Sequence, residues 1–97
     1  MNIYHKINSI RKMLKTLEKQ YEIDEKSYKN RYETKRYEEM PFKPGTMLVA
    51  ESKLMQLAGN IRELRRDLNR LVYQEGKPEV IDWYEETNKE IELRKYE

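Results

Sequence analysis

The chain has 97 residues, no cysteine, 39% charged against 37% hydrophobic residues, and a formal net charge of +2. That balance argues against a deep-cored globule, and the lack of cysteine excludes a disulfide framework, a thiolate metal site and a thiol nucleophile. The longest uninterrupted apolar run, Met47-Leu48-Val49-Ala50, is far short of the ~20 residues a membrane span needs, and no signal-peptide pattern opens the chain, so a cytoplasmic protein without membrane association is expected.

In chain order, Ile3, Ile7, Ile10, Leu14, Leu17 and Tyr21 recur at alternating spacings of four and three. This is one apolar seam of a helix, and Asn2 is placed to cap its free amides. Beyond Tyr21 the seam positions turn polar or aromatic, but nothing from Ile23 to Glu39 breaks a helix, so the first helix is predicted over about residues 2–39. Met40-Pro41-Phe42-Lys43-Pro44-Gly45 then forces a loop over 40–45. Thr46 is the expected cap of a second helix over about 46–75, ended by Gly76 and Pro78. Its seam is the most regular in the chain: Met47, Ala50, Leu54, Leu57, Ile61, Leu64, Leu68 and Leu71. Asn60 and Glu63 have capping-box spacing, as a helix-turn-helix with its turn at Gly59 would require. The seam nevertheless crosses Gly59 without a change of phase, which favours a continuous helix. Pro78 and Glu79 suit the first turn of a third helix over about 78–95, with Ile81, Tyr84, Asn88 and Ile91 as a weak stripe and Trp83 with Tyr84 as its anchor.

Two long helices joined by a short loop imply antiparallel neighbours. The predicted fold is therefore all-α: one domain over 1–97, a long antiparallel helical hairpin of coiled-coil type, and a shorter third C-terminal helix. Apolar residues outside the seams, among them Met13, Leu48, Met55 and Val72, imply self-association, with a dimer expected.

Catalysis is not expected. His5 is the single histidine and faces solvent in the heptad, and the pairs Glu38-Glu39 and Glu85-Glu86 point about 100° apart on a helix and do not converge. With no phosphate loop, nucleophile elbow or metal-ligand spacing, no catalytic residue, cofactor or metal is predicted. The basic residues are the stronger signal. Lys+Arg against Asp+Glu is 10 to 7 in residues 1–40, 6 to 4 in 41–76, and 4 to 7 in 77–97. With Ile7 as heptad position a, the outward positions of the first helix include Lys12, Lys15, Lys19, Lys26, Lys29 and Arg36. On the second helix Arg62, Arg66 and Arg70 stack, with Arg65 beside them. Such stripes are commonly the solvated face of a coiled coil, neutralised in part by Glu63 and Asp67. They also suit the phosphates of a nucleic acid or the carboxylates of an acidic protein.

Tyr28, Tyr32, Tyr37 and Phe42 gather toward the loop end. Tyrosine suits a thin, wet core and also a protein-binding surface. The size, high charge and usage of Lys, Ile, Tyr, Asn and Glu resemble small accessory proteins of phages and mobile elements. The expected function is a non-enzymatic interaction protein, a helical regulator, inhibitor or assembly factor that binds a protein partner. The alternative is a nucleic-acid-binding dimer using the basic stripes.

Overall fold

A computed structural model describes residues 2–93. Among these residues there are four helices and no strand: α1 (Ile3–Tyr32), α2 (Lys35–Glu38), α3 (Gly45–Glu75) and α4 (Pro78–Thr87). The Asn2 side chain accepts a hydrogen bond from the His5 amide at 3.0 Å, so α1 starts where a capping residue meets the first free N–H groups. α1 passes Tyr21 without interruption but stops at Tyr32, not at residue 39. Thr34 is extended (φ −128°, ψ 158°), and a single turn, α2, follows. The aromatic residues account for the break. Tyr32 is buried, its ring centroid 5.3 Å from that of Tyr28 and 5.1 Å from that of Tyr37. Five residues apart on a continuous helix, Tyr32 and Tyr37 would point about 140° away from each other. Interrupting the helix lets Tyr37 fold back edge-on against Tyr32.

Pro44, not Thr46, occupies the cap position of α3, and its carbonyl accepts from the amides of Met47 and Leu48, both at 3.1 Å. A capping hydroxyl at Thr46 is not used because the helix already begins at Gly45. At the other end the Gly76 amide donates to the Val72 carbonyl at 3.0 Å, and a Cβ at Gly76 would stand only 2.2 Å from that same oxygen. Glycine therefore permits the tight exit from α3 into Pro78, the first residue of α4.

The third helix is shorter than the sequence suggests. α4 ends at Thr87, and residues 88–93 carry no helix. The predicted continuation to residue 95 fails as far as it is described, and residues 94 and 95 lie outside the described residues. The carbonyls of Ile91 and Leu93 are taken by side chains of Arg65 and Tyr21, bonds that tie this stretch to the two long helices.

α1 and α3 pack along their length. Tyr28 meets Glu51 and Glu18 meets Arg65, so numbers rise along one helix as they fall along the other. Burial recurs every seven residues: Ile7, Leu14, Tyr21 and Tyr28 on α1, and Met47, Leu54, Ile61 and Leu68 on α3. The other half of each seam is only partly buried: Ile3, Ile10 and Leu17, and Ala50, Leu57, Leu64 and Leu71. A third layer on one flank accounts for the difference. Contacts from α4 and residues 88–93 arrive at Tyr4, Arg11 and Tyr21 of α1 and at Arg65, Asn69 and Tyr73 of α3. On α3 this adds Ala58, Arg65 and Val72, each four residues beyond Leu54, Ile61 and Leu68, to the buried set. On the opposite flank the described chain leaves the half-buried leucines and isoleucines uncovered.

Gly59 lies in mid-helix on the outward side of α3, and a Cβ there would meet nothing nearer than an Arg62 nitrogen at 3.9 Å. Gly59→Ala is therefore expected to stabilise the protein by about 1 kcal/mol, through helix propensity and a less free unfolded chain. Thermal unfolding should show a midpoint raised by about 5 °C, and an unchanged or lower midpoint contradicts an open site.

Candidate functional site

Arg65 stands at the centre of the polar structure. Four residues after Ile61 and three before Leu68, it turns into the molecule and is only 8% exposed. Its Nη2 donates to the Ile91 carbonyl at 2.8 Å and to Glu18 at 3.3 Å, and its Nε lies 3.7 Å from Glu90. That Nε is buried and has no hydrogen-bond partner, so its tie to Glu90 is ionic only. One guanidinium thus joins α1, α3 and the non-helical segment 88–93. The Tyr21 hydroxyl adds a second tie, 2.7 Å from the Leu93 carbonyl and 2.9 Å from Glu25, and Leu93 itself is fully buried. Residues 88–93 form a strap across the two long helices.

Arg11 fixes the root of that strap. Its guanidinium donates to the Tyr84 carbonyl at 3.2 Å and sits 4.8 Å from the ring centroids of both Trp83 and Tyr84. A cation is well placed there, since carbonyls at the end of a helix carry partial negative charge and aromatic faces attract cations. Tyr4 meets Trp83 edge-on at 5.0 Å. Between α1 and the start of the strap lies an open groove of about 860 Å³, with Arg11, Lys12, Lys15, Glu18, Lys89 and Glu90 in its lining.

Glu18 is held above the usual carboxylate value of 4.5, because burial outweighs the hydrogen bond and charge of Arg65, and Glu90 and Glu22 push the same way. Its partners are the groups that close the strap, so the shift follows from closure of the fold. Burial, together with the negative charge of Glu90, likewise raises the Tyr84 phenol.

The structure disperses the residues singled out in the sequence. Arg62 and Arg66 are exposed on the outward side of α3. Arg70 is exposed and 4.0 Å from Asp67. Arg65 does not join that surface, because its heptad position faces the strap. Tyr28 and Tyr32 are core residues: the Tyr28 hydroxyl donates to Glu51, which also receives Lys43 at 2.8 Å. Burial of both rings removes them from the accessible surface, while Tyr37 is half-buried and Phe42 is 79% exposed. The residues that sequence reasoning missed are Arg65 as a strut and Leu93 as a core residue. The Ala58–Arg65–Val72 spacing of seven is the signal that places Arg65 inward; Leu93 has no comparable pattern.

Large apolar side chains left in solvent concentrate near the loop end: Phe42, Leu48 and Val49, with Met55 a further two turns along α3. Leu48 and Met55, seven apart, share one stripe, and Arg62 and Arg66 continue the same outward side, so α3 presents an apolar half followed by a basic half. Among the described residues no group of acidic or histidine side chains is arranged to hold a metal ion, and no helix is long and apolar enough to cross a membrane. Compared with protein-family models, curated proteins and solved structures, the chain matches none of them.

Proposed function

We propose that this protein works by binding another protein and not by catalysis, as a small regulator, inhibitor or assembly factor framed on an antiparallel helical hairpin of coiled-coil type. The observation that supports this reading is the grouping of Phe42, Leu48, Val49 and Met55, all half or more exposed, within fourteen residues of chain. Single exposed apolar residues are ordinary, whereas several close in sequence on a highly charged chain, with Leu48 and Met55 on one stripe, suit a partner's apolar surface. The basic half of the same stripe, Arg62 and Arg66, would meet carboxylates at the rim. The test is affinity capture from the native host with wild-type protein and with the double variant Leu48→Glu/Met55→Glu. The expected result is a partner held by the wild type and lost from the variant, with helix content unchanged. Equal capture by both removes the apolar stripe as the binding site.

A second reading rests on the other side of the molecule. Lys12, Lys15, Lys19 and Lys26 are all exposed on α1, and the first two run into the groove beside Arg11 and Lys89. That line of cations fits a nucleic acid backbone. Titration with duplex DNA and with RNA at about 50 mM and about 200 mM salt tests it: steep weakening with salt supports the reading, and no binding at the lower salt removes it.

A further inference from the structure

We infer that the uncovered flank of α1 and α3 is a self-association surface, on which a second copy of this chain lies with its α1 antiparallel to the first. Charge is nearly absent from one side of α1. Number α1 with Ile7 as heptad position a. Its c, d and g positions from Asn2 to Asn30 are thirteen residues, and only Lys6 and Asp24 among them are charged. The b and f positions over the same span are eight residues, of which six are charged, in a chain that is 39% charged overall. Charge is thus withheld from one side of one helix. That side is not the one covered by α4 and the strap, whose contacts fall on Tyr4, Arg11 and Tyr21.

The same side carries unburied apolar surface. Met13 is 55% exposed and Ile23 52% exposed, beside the half-buried Ile3, Ile10 and Leu17. Leu57, Leu64 and Leu71 of α3 continue the surface across the hairpin. From Ile3 to Ser27 the flank is about 36 Å long at 1.5 Å per residue, and the molecule is 20 Å across. Those dimensions give roughly 700 Å², close to the ~800 Å² per partner of a standard stable interface.

The two charges select the occupant and its direction. Lys6 and Asp24 are 18 residues apart, about 27 Å along the helix, with their midpoint near Lys15. A two-fold interface pairs residue i with j and j with i. Two α1 helices laid antiparallel through that midpoint set each Lys6 against the partner's Asp24, twice per dimer, and set Met13 against the partner's Leu17. A parallel arrangement would place Lys6 on Lys6 and Asp24 on Asp24. Asp24 already accepts from Gln20 at 2.8 Å through one oxygen, which orients the carboxylate and leaves the other oxygen for the second chain.

Solution mass across a concentration series, by light scattering and sedimentation, tests the inference. The wild type is expected at twice the 12.0 kDa of the chain. Met13→Glu should be monomeric with unchanged helix content, because the site is exposed within one chain, and its thermal midpoint should equal that of the wild type at dilutions where the wild type is itself monomeric. Lys6→Glu and Asp24→Lys should each weaken the dimer about tenfold, since each sets two like-charge pairs facing one another, and the Lys6→Glu/Asp24→Lys double variant should restore it. Leu48→Glu/Met55→Glu should leave the dimer intact. A wild type that stays monomeric at about 100 μM overturns the inference, since stable interfaces of this area bind well below that concentration. So does a dimer that survives Met13→Glu but falls to Leu48→Glu/Met55→Glu, or a charge swap that fails to restore association.

Discussion

Arg65→Met is expected to cost about 3–5 kcal/mol at neutral pH, a large fraction of the ~5–15 kcal/mol that holds a small domain folded. Methionine fills much of the volume, so the loss is not mainly a cavity. It comes from what is left behind: a half-buried carboxylate at Glu18, an unpaired Ile91 carbonyl, and Glu90 without its cation. The pH dependence has a definite sign. Glu18 already binds its proton more tightly in the folded state than its ordinary value of 4.5, chiefly because it is buried. Such a group favours the folded state fully below its unfolded value, and that contribution is lost as pH rises through the folded value. Arg65 opposes this loss by lowering the Glu18 value, and without Arg65 the loss is larger. Arg65→Met should therefore be most harmful near pH 7 and partly recover near pH 4, where Glu18 is neutral. Urea unfolding followed by circular dichroism at the two pH values reads this directly. An equal loss at both would separate Glu18 from the effect, and faster amide exchange across residues 88–93 would show the strap released.

Ile61→Ala is the second large effect, at about 3–4 kcal/mol, whereas Leu64→Ala should cost about 1 kcal/mol. Both residues belong to the same regular seam. Ile61 is fully buried, with Ala58 and Arg65 beside it on the covered flank, while Leu64 is partly exposed on the open one. Truncating Ile61 leaves a cavity that rigid neighbours cannot fill; truncating Leu64 leaves a dent that water fills. The comparison belongs in the Met13→Glu background, so that association through the open flank does not add to the Leu64 value. Equal losses at the two positions would mean that the a and d layers are equivalent and that the third layer does not bias the core.

The helices were legible because periodicity and punctuation are local. The seams of α1 and α3, the Asn2 cap, the Pro41–Pro44 loop and the Gly76–Pro78 junction all follow from residues close in sequence. The break at Glu33–Thr34 was not legible, because it depends on Tyr37 meeting Tyr32 in space and no helix breaker marks it. The end of α4 was hidden for a related reason: residues 88–93 are held by Arg65 and Tyr21, 26 and 72 residues away along the chain. On sequence alone Arg65 belongs to an outward arginine group, because arginine on a charged helix normally faces water. Only the layer formed by α4 and the strap makes its position an interior one. Tyr28 and Tyr32 carried two readings in sequence, thin core or binding surface, and burial separates them from Phe42.

The strap also bears on the order in which the molecule assembles. Its bonds join residues 26 and 72 apart, and Arg11 reaches Tyr84 over 73. Closing such spans requires α1 and α3 to be docked already, since only their junction brings Tyr21 and Arg65 within reach of one segment. The strap is thus the last piece to engage and the first to let go. A partly open form, with both long helices still paired and the guanidinium of Arg65 in water, lies nearer in free energy than the fully unfolded chain.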